Sequence, residues 1–212
     1  MILHVAGVAH ADPTGPVRLQ RWLNRLRSQQ KSPPAFVAVE WDQQIFERVR
    51  VQRRTIASLA KARWPQATPE FIAALSAALA YEGDAHLHVF PSALTLWLDE
   101  GRKPDSESDI AEFAVLRMRL YERAAEGISD LNAGALPAMS MVVWSSILPR
   151  PDGSHPRDDL FAKRLFDALR GTTGSWAIAI LGANHASDSA GSAIDLLIHN
   201  GTECSVKLMN DA

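Results

Sequence analysis

The chain is poor in the features that most often give away a small protein's role. Its 212 residues include a single cysteine, Cys204, which excludes an intramolecular disulfide framework and a cysteine-rich zinc module. It has no excess of either charge: 22 Lys and Arg stand against 24 Asp and Glu, a formal charge of −2. The electrostatic footprint of a nucleic-acid binder is therefore missing. The arginines at Arg48-Val49-Arg50 and Arg53-Arg54 read as a solvated helix face. No apolar run approaches the roughly 20 residues that cross a bilayer. Residues from Ile2 onward read as a strand rather than a basic leader with a secretory apolar core, so Asn200-Gly201-Thr202 is a turn rather than a glycosylation site. The expectation is a cytoplasmic, reduced protein with neither nucleic acid nor membrane as a partner. Catalytic signatures are also scarce. His-Glu-x-x-His is absent, Ser145 and Ser146 lie outside a Gly-x-Ser-x-Gly elbow, and Gly171-Thr172-Thr173-Gly174-Ser175 lacks a phosphate-binding lysine.

What is present is an alternation of short apolar runs with amphipathic stretches. Ile2 to Ala6 is too short for a helix and apolar on both faces except at His4, which suits a strand buried in a parallel sheet. Leu19, Trp22, Leu23 and Leu26 recur at helical spacing, and Ser32-Pro33-Pro34 stops that helix. Ala35 to Val39 is a second buried strand with Glu40 at its end, completing a β-α-β unit. Helices are expected at Gln43 to Trp64, Phe71 to Tyr81, Ser92 to Glu100, Asp109 to Glu126, Asp158 to Leu169 and Ala193 to His199. Strands are expected at Met139 to Trp144, Trp176 to Leu181 and Cys204 to Leu208. This pattern predicts an α/β fold, with a mostly parallel central sheet flanked by helices in a three-layer sandwich. It forms one domain over 1–212 with a helical insertion at about 66–135.

One figure occurs twice. Val5-Ala6-Gly7-Val8-Ala9-His10 and Ile180-Leu181-Gly182-Ala183-Asn184-His185 each end a buried strand in Gly-x-x-His. Gly7 and Gly182 would each permit a tight turn and close backbone approach to a ligand. Ligands of open parallel sheets bind beyond the C-terminal strand ends, where His10, Glu40, Ser145 and His185 all fall in this reading. Two histidines and a carboxylate (His10, Glu40, His185) can hold a divalent metal with a position left for water, which the metal would activate. They can equally serve a metal-free general base. His4, inside its strand, reads as a satisfied core residue, and Cys204 as a small core residue. His86 and His88 alternate as on a strand face and read as a partly exposed edge.

These residues resemble the TraB/PrgY/GumN–TIKI superfamily, with ChaN-like and erythromycin-esterase-like proteins as broader relatives. The likeness lies in Val5 to His10, Phe36 to Glu40 and Ile178 to Leu208. Arg157-Asp158 is similar to the family's Arg-Asp or Arg-Asn pair, and His10-Ala11-Asp12-Pro13 to the ChaN-like first motif. Members are hydrolases, some described as metal-dependent proteases and others as metal-free esterases, while several are known only as regulators or haem binders. The resemblance implies His10, Glu40 and His185 as the active-site set, with Arg157 holding an anionic or carbonyl group of a small-molecule or peptide substrate. It implies Mn, Co or Zn as the divalent metal where one is used. An arginine is usual one helical turn after the glutamate. Ile45 stands there in this chain, and Arg48 follows a turn late. Two other classes fit the same cleft: a non-catalytic small-molecule sensor, and a haem or iron binder using Tyr81, His86 and His88.

Overall fold

Apolar residues on both faces of a strand demand cover on both sides, and the computed structural model provides it. It describes residues 1–8, 15–40, 42–44, 46–47, 58, 61–62, 65, 69, 85–100, 157–187 and 189–209. The elements are β1 (Ile2–Val8), α1 (Gly15–Gln29), β2 (Val37–Val39), α2 (Ala85–Val89), β3 (Thr95–Trp97), α3 (Asp158–Gly171), β4 (Trp176–Gly182), α4 (Ala183–Ala186), α5 (Ala193–His199) and β5 (Cys204–Leu208). The five strands form one sheet in the order β3-β2-β4-β1-β5, parallel at every pairing. The expected α/β sandwich is therefore present. No helix among the described residues is long and apolar enough to cross a membrane.

The alternation of side chains along the strands sorts the core into two layers. On one face Leu3, Val5, Ala177, Ala179 and Leu181 pack with Phe161 and Leu165 of α3 and Ile194 and Leu197 of α5. On the other, Ala6, Val8, Ile178 and Ile180 pack with Leu19, Leu23 and Leu26 of α1 and Ala85 and Val89 of α2. The buried leucines of α1 follow the 3.6-residue period, while Arg21, Arg25 and Arg27 stay exposed. Ser192 caps α5 by accepting the Asp195 N–H at 3.1 Å. Gly201, at φ +81°, ends that helix in the left-handed region that glycine enters without a Cβ penalty.

β1 and β4, the two strands that carry the repeated figure, are direct neighbours, with Gly7 opposite Leu181 and Val8 opposite Gly182. Beyond β1 the chain reaches β2 through α1 on one face. Beyond β4 it reaches β5 through α5 on the other face. Two adjacent parallel strands whose outgoing connections diverge leave a crevice at their C-terminal ends.

Several expectations need correction. Ser92–Glu100 is not a helix: Thr95–Trp97 is a strand paired with Val37–Val39. The ladder is continued by Val37 N–H donating to Leu94 O at 2.8 Å and Leu98 N–H donating to Val39 O at 2.9 Å. Arg164 of α3 closes the end of β3 by donating to Leu98 O and Glu100 O, both at 2.6 Å. The stretch before β3, where His86 and His88 read as a strand edge, forms helix α2 instead. Strand β1 also runs on through Gly7 to Val8 instead of turning at the glycine. A Cβ at Gly7 would lie 2.5 Å from Leu208 Cδ2 and 2.9 Å from Ala186 Cβ, so the residue serves close packing rather than a turn. The expected helices at Phe71 to Tyr81 and Asp109 to Glu126 and the strand Met139 to Trp144 lie outside the described residues, apart from which Gln43, Gln44, Phe46, Glu47, Ser58, Lys61 and Ala62 are helical as expected.

Candidate functional site

The ends of β2, β3 and β4 and the start of α3 meet at the C-terminal edge of the sheet, beside that crevice. β2 delivers Glu40, whose side chain is buried. Its Oε2 accepts the backbone N–H of Gly182 at the end of β4, and its Oε1 accepts Arg157 Nη2 at 2.8 Å. Gly182 itself has ordinary extended backbone (φ −55°, ψ 144°), so its contribution is an approachable N–H. β3, one strand further out, delivers Asp99, also buried, whose Oδ2 accepts Arg157 Nη1 at 2.7 Å. The guanidinium thus bridges carboxylates from the ends of two adjacent strands, using the fixed fork that arginine alone provides. Its side chain is 20 % exposed.

His185 arrives on α4, directly after β4, and is buried. Its Nδ1 lies 2.6 Å from Asp158 Oδ1, and its Nε2 lies 3.5 Å from Arg157 Nη2 and 3.6 Å from Glu40 Oε1. Asp158 is buried too, and its Oδ1 also accepts the Ala193 N–H at 2.9 Å. One ring completes the arrangement. Phe161, a turn along α3 from Asp158, stands edge-on to His185 with centroids 5.0 Å apart, and the guanidinium of Arg157 lies 5.3 Å above it. The first turn of α3 therefore holds both the imidazole and the guanidinium.

Glu40, His185 and Arg157, three of the four expected catalytic residues, share this one site. His10, Ser145, Ile45, Arg48 and Tyr81 lie outside the described residues. Asp99 and Asp158 were not anticipated as site residues. The signal for Asp99 was its likeness to Glu40, each being a carboxylate directly after an apolar run (Leu96-Trp97-Leu98-Asp99 beside Val37-Ala38-Val39-Glu40), and the helix reading concealed it. Asp158 stood beside Arg157 in the quoted pair without a role of its own.

The described members of the expected metal set do not fit a divalent ion as they stand. Glu40 gives both oxygens to Gly182 and Arg157, and the His185 nitrogen not facing Asp158 looks onto a guanidinium that would repel a second cation. Among the described residues no three His, Cys, Asp or Glu side chains are grouped to hold a metal.

His86 is buried within α2, with Nε2 3.1 Å from Thr95 Oγ1, whereas His88 on the same short helix is exposed. Residues two apart on a helix face different ways, so these two do not converge on one ligand. His4 meets Trp176 edge-on at 5.8 Å, but its Nε2 finds no hydrogen-bond partner among the described residues, so it is less well satisfied than expected. Burial lowers its pKa below the usual histidine value, against the opposing charge of Glu203. Partial burial against the core also pushes the Cys204 thiol up to about 11, which lowers its reactivity. Comparison of the chain with protein-family models, with curated proteins and with solved structures finds no match.

Proposed function

We propose that the chain is a hydrolase of the TraB/TIKI-like type, acting on an ester or peptide carbonyl by activating water without a metal. The observation behind this reading is the convergence of Glu40, Arg157 and His185 beyond the C-terminal ends of the neighbouring strands β2 and β4. A neutral imidazole whose Nδ1–H is donated to a carboxylate presents Nε2 as a proton acceptor, the arrangement a general base requires. The partly exposed guanidinium beside it is the group at which negative charge developing on a carbonyl oxygen would be stabilised. Glu40 fixes that guanidinium and would share the proton traffic at Nε2, and His10 is the expected fourth member. The single cysteine suits the reducing cytoplasm, where we place the protein.

The competing reading is a sensor that binds a small molecule at the same site without turnover. It draws on the full pairing of Glu40, which leaves no oxygen idle in the ground state. A panel of chromogenic esters and peptides separates the two when run with wild type, His185→Ala and Glu40→Gln in chelator-treated buffer. Hydrolysis that falls by about 10²-fold or more in His185→Ala supports the base. A panel left uncleaved by the wild type, or cleaved equally by all three proteins, defeats the metal-free hydrolase reading.

A further inference from the structure

The chemistry of the site turns on which nitrogen of His185 carries the proton. We infer that Asp158 is the positioning residue that locks His185 in the Nδ1–H tautomer and so leaves Nε2 bare toward Glu40 and Arg157. This deepens the water-activating reading and rests on it for its chemical meaning, although the tautomer itself can be read without any turnover.

An ionised carboxylate only accepts, and Asp158 Oδ1 lies 2.6 Å from His185 Nδ1, so the proton between them belongs to the ring. Two features keep Asp158 in the acceptor state. It is the first residue of α3, a 14-residue helix whose N-terminal dipole favours negative charge there. The same Oδ1 also receives the Ala193 N–H at 2.9 Å. Phe161 then limits rotation of the ring, standing edge-on with centroids 5.0 Å apart. With Nδ1 committed, the ring can offer its other nitrogen only as an acceptor, and among the described residues Arg157 Nη2 lies 3.5 Å from it. A carboxylate that orients a histidine in this way controls reactivity through the ring without touching a substrate.

The Ala193 contact makes the inference sharper than a simple Asp-His pair. Because this backbone N–H claims the oxygen that faces the imidazole, an asparagine at 158 would keep its carbonyl oxygen there and turn its NH2 group away. Asp158→Asn is therefore expected to retain the Nδ1–H tautomer, whereas Asp158→Ala loses it.

The test is long-range 1H–15N correlation spectroscopy of the imidazole rings in the full-length, 15N-labelled protein, with His185 assigned by the signal that disappears in His185→Gln. The wild type and Asp158→Asn should show a protonated Nδ1 and a bare Nε2. Asp158→Ala should show the proton shared between the nitrogens or moved to Nε2. A wild-type His185 protonated on Nε2, or an Asp158→Ala spectrum like that of the wild type, overturns the inference. A tautomer that flips in Asp158→Asn refutes the role given to Ala193. Should Asp158→Ala not fold, Asp158→Leu, which also removes the acceptor oxygen but fills the space, takes its place with the same expected loss of the Nδ1–H tautomer. A correct tautomer together with an uncleaved substrate panel would reject the hydrolase and leave the positioning role standing.

Discussion

Arg157→Met tests whether the guanidinium is the charge that lets the carboxylates of two neighbouring strands end side by side. Methionine keeps much of the aliphatic stem and its contact with Phe161, so the change is mainly electrostatic. In the wild type Arg157 bonds Glu40 at 2.8 Å and Asp99 at 2.7 Å, and both acidic side chains are 6 % exposed. Removing one partner of a buried ion pair costs about 3–5 kcal/mol, because the desolvated charge left behind has nothing to offset it. Two carboxylates would be left here, which argues for the upper end of that range. The 20 % exposure of the arginine itself gives water a route in and argues for the lower end. The second effect sets a floor, and we expect a loss of about 3 kcal/mol, roughly a hundredfold in the folding equilibrium. Equilibrium urea denaturation followed by far-ultraviolet circular dichroism measures it, with the m-value checked for constancy. Glu40→Gln in the same background should recover part of the loss, since it removes one of the two stranded charges. A loss below about 1 kcal/mol, with no rescue by Glu40→Gln, would mean that the pair behaves as a solvated surface contact, and the account of the site as a closed charge network would fail.

Three further outcomes follow from groups away from the network. Because the folded state lowers the His4 pKa, the unfolded chain takes up a proton more readily, so stability is full above the unperturbed value of 6.5 and falls as the pH drops through it. Urea titrations from pH 8 to pH 5 should show this slope flattened in His4→Phe, and an unchanged slope would remove His4 as its source. With its thiol pushed up to about 11, Cys204 should react with a disulfide reagent at pH 8 at least tenfold more slowly in the native protein than in urea. Equal rates would contradict the burial. Gly7→Ala would set a methyl 2.5 Å from Leu208 Cδ2 and 2.9 Å from Ala186 Cβ, and overpacking of this kind costs about 1–3 kcal/mol. Adding Leu208→Ala should recover part of it, and a neutral Gly7→Ala would show that β1, α4 and β5 do not pack as closely as described.

The parts of the fold that were legible in the sequence are those where burial leaves one pattern. Trp176 to Leu181 is apolar at every position and only six residues long, so a strand buried on both faces was the natural reading. Ala193 to His199 carries its own cap in Ser192 and its own stop in Asn200-Gly201. Around Leu94 to Leu98 the apolar residues are too dense for either period to stand out, and Pro91-Ser92 imitates a helix start. The strand there is decided by backbone pairing with Val37–Val39, which no local pattern encodes. The site divides the same way. Glu40 and His185 could be picked out because each follows an apolar strand. That Arg157 would pair with Glu40 and with Asp99 could not be read, because Asp99 lies 58 residues and Glu40 117 residues away in the chain.

The first turn of α3 couples two functions that would be separate if their residues stood on different elements. Asp158 ties that turn to His185 and to the start of α5, while Arg157, one residue earlier, ties it to the ends of β2 and β3. The Phe161 N–H donating to Arg157 O at 2.9 Å makes the two ties parts of one rigid unit, with the ring of Phe161 against both His185 and Arg157. Cutting either tie therefore loosens the residues that the other depends on, and the second cut has less left to break. Arg157→Met and Asp158→Ala should consequently destabilise by less in combination than the sum of their separate effects, with an interaction energy of about 0.5–3 kcal/mol. Arg157→Met combined with Gly7→Ala, which acts through Leu208 and Ala186 instead, should come closer to additivity. Strict additivity of Arg157→Met with Asp158→Ala in urea denaturation would show that the helix start does not transmit between them. The charge network and the histidine clamp would then be independent neighbours.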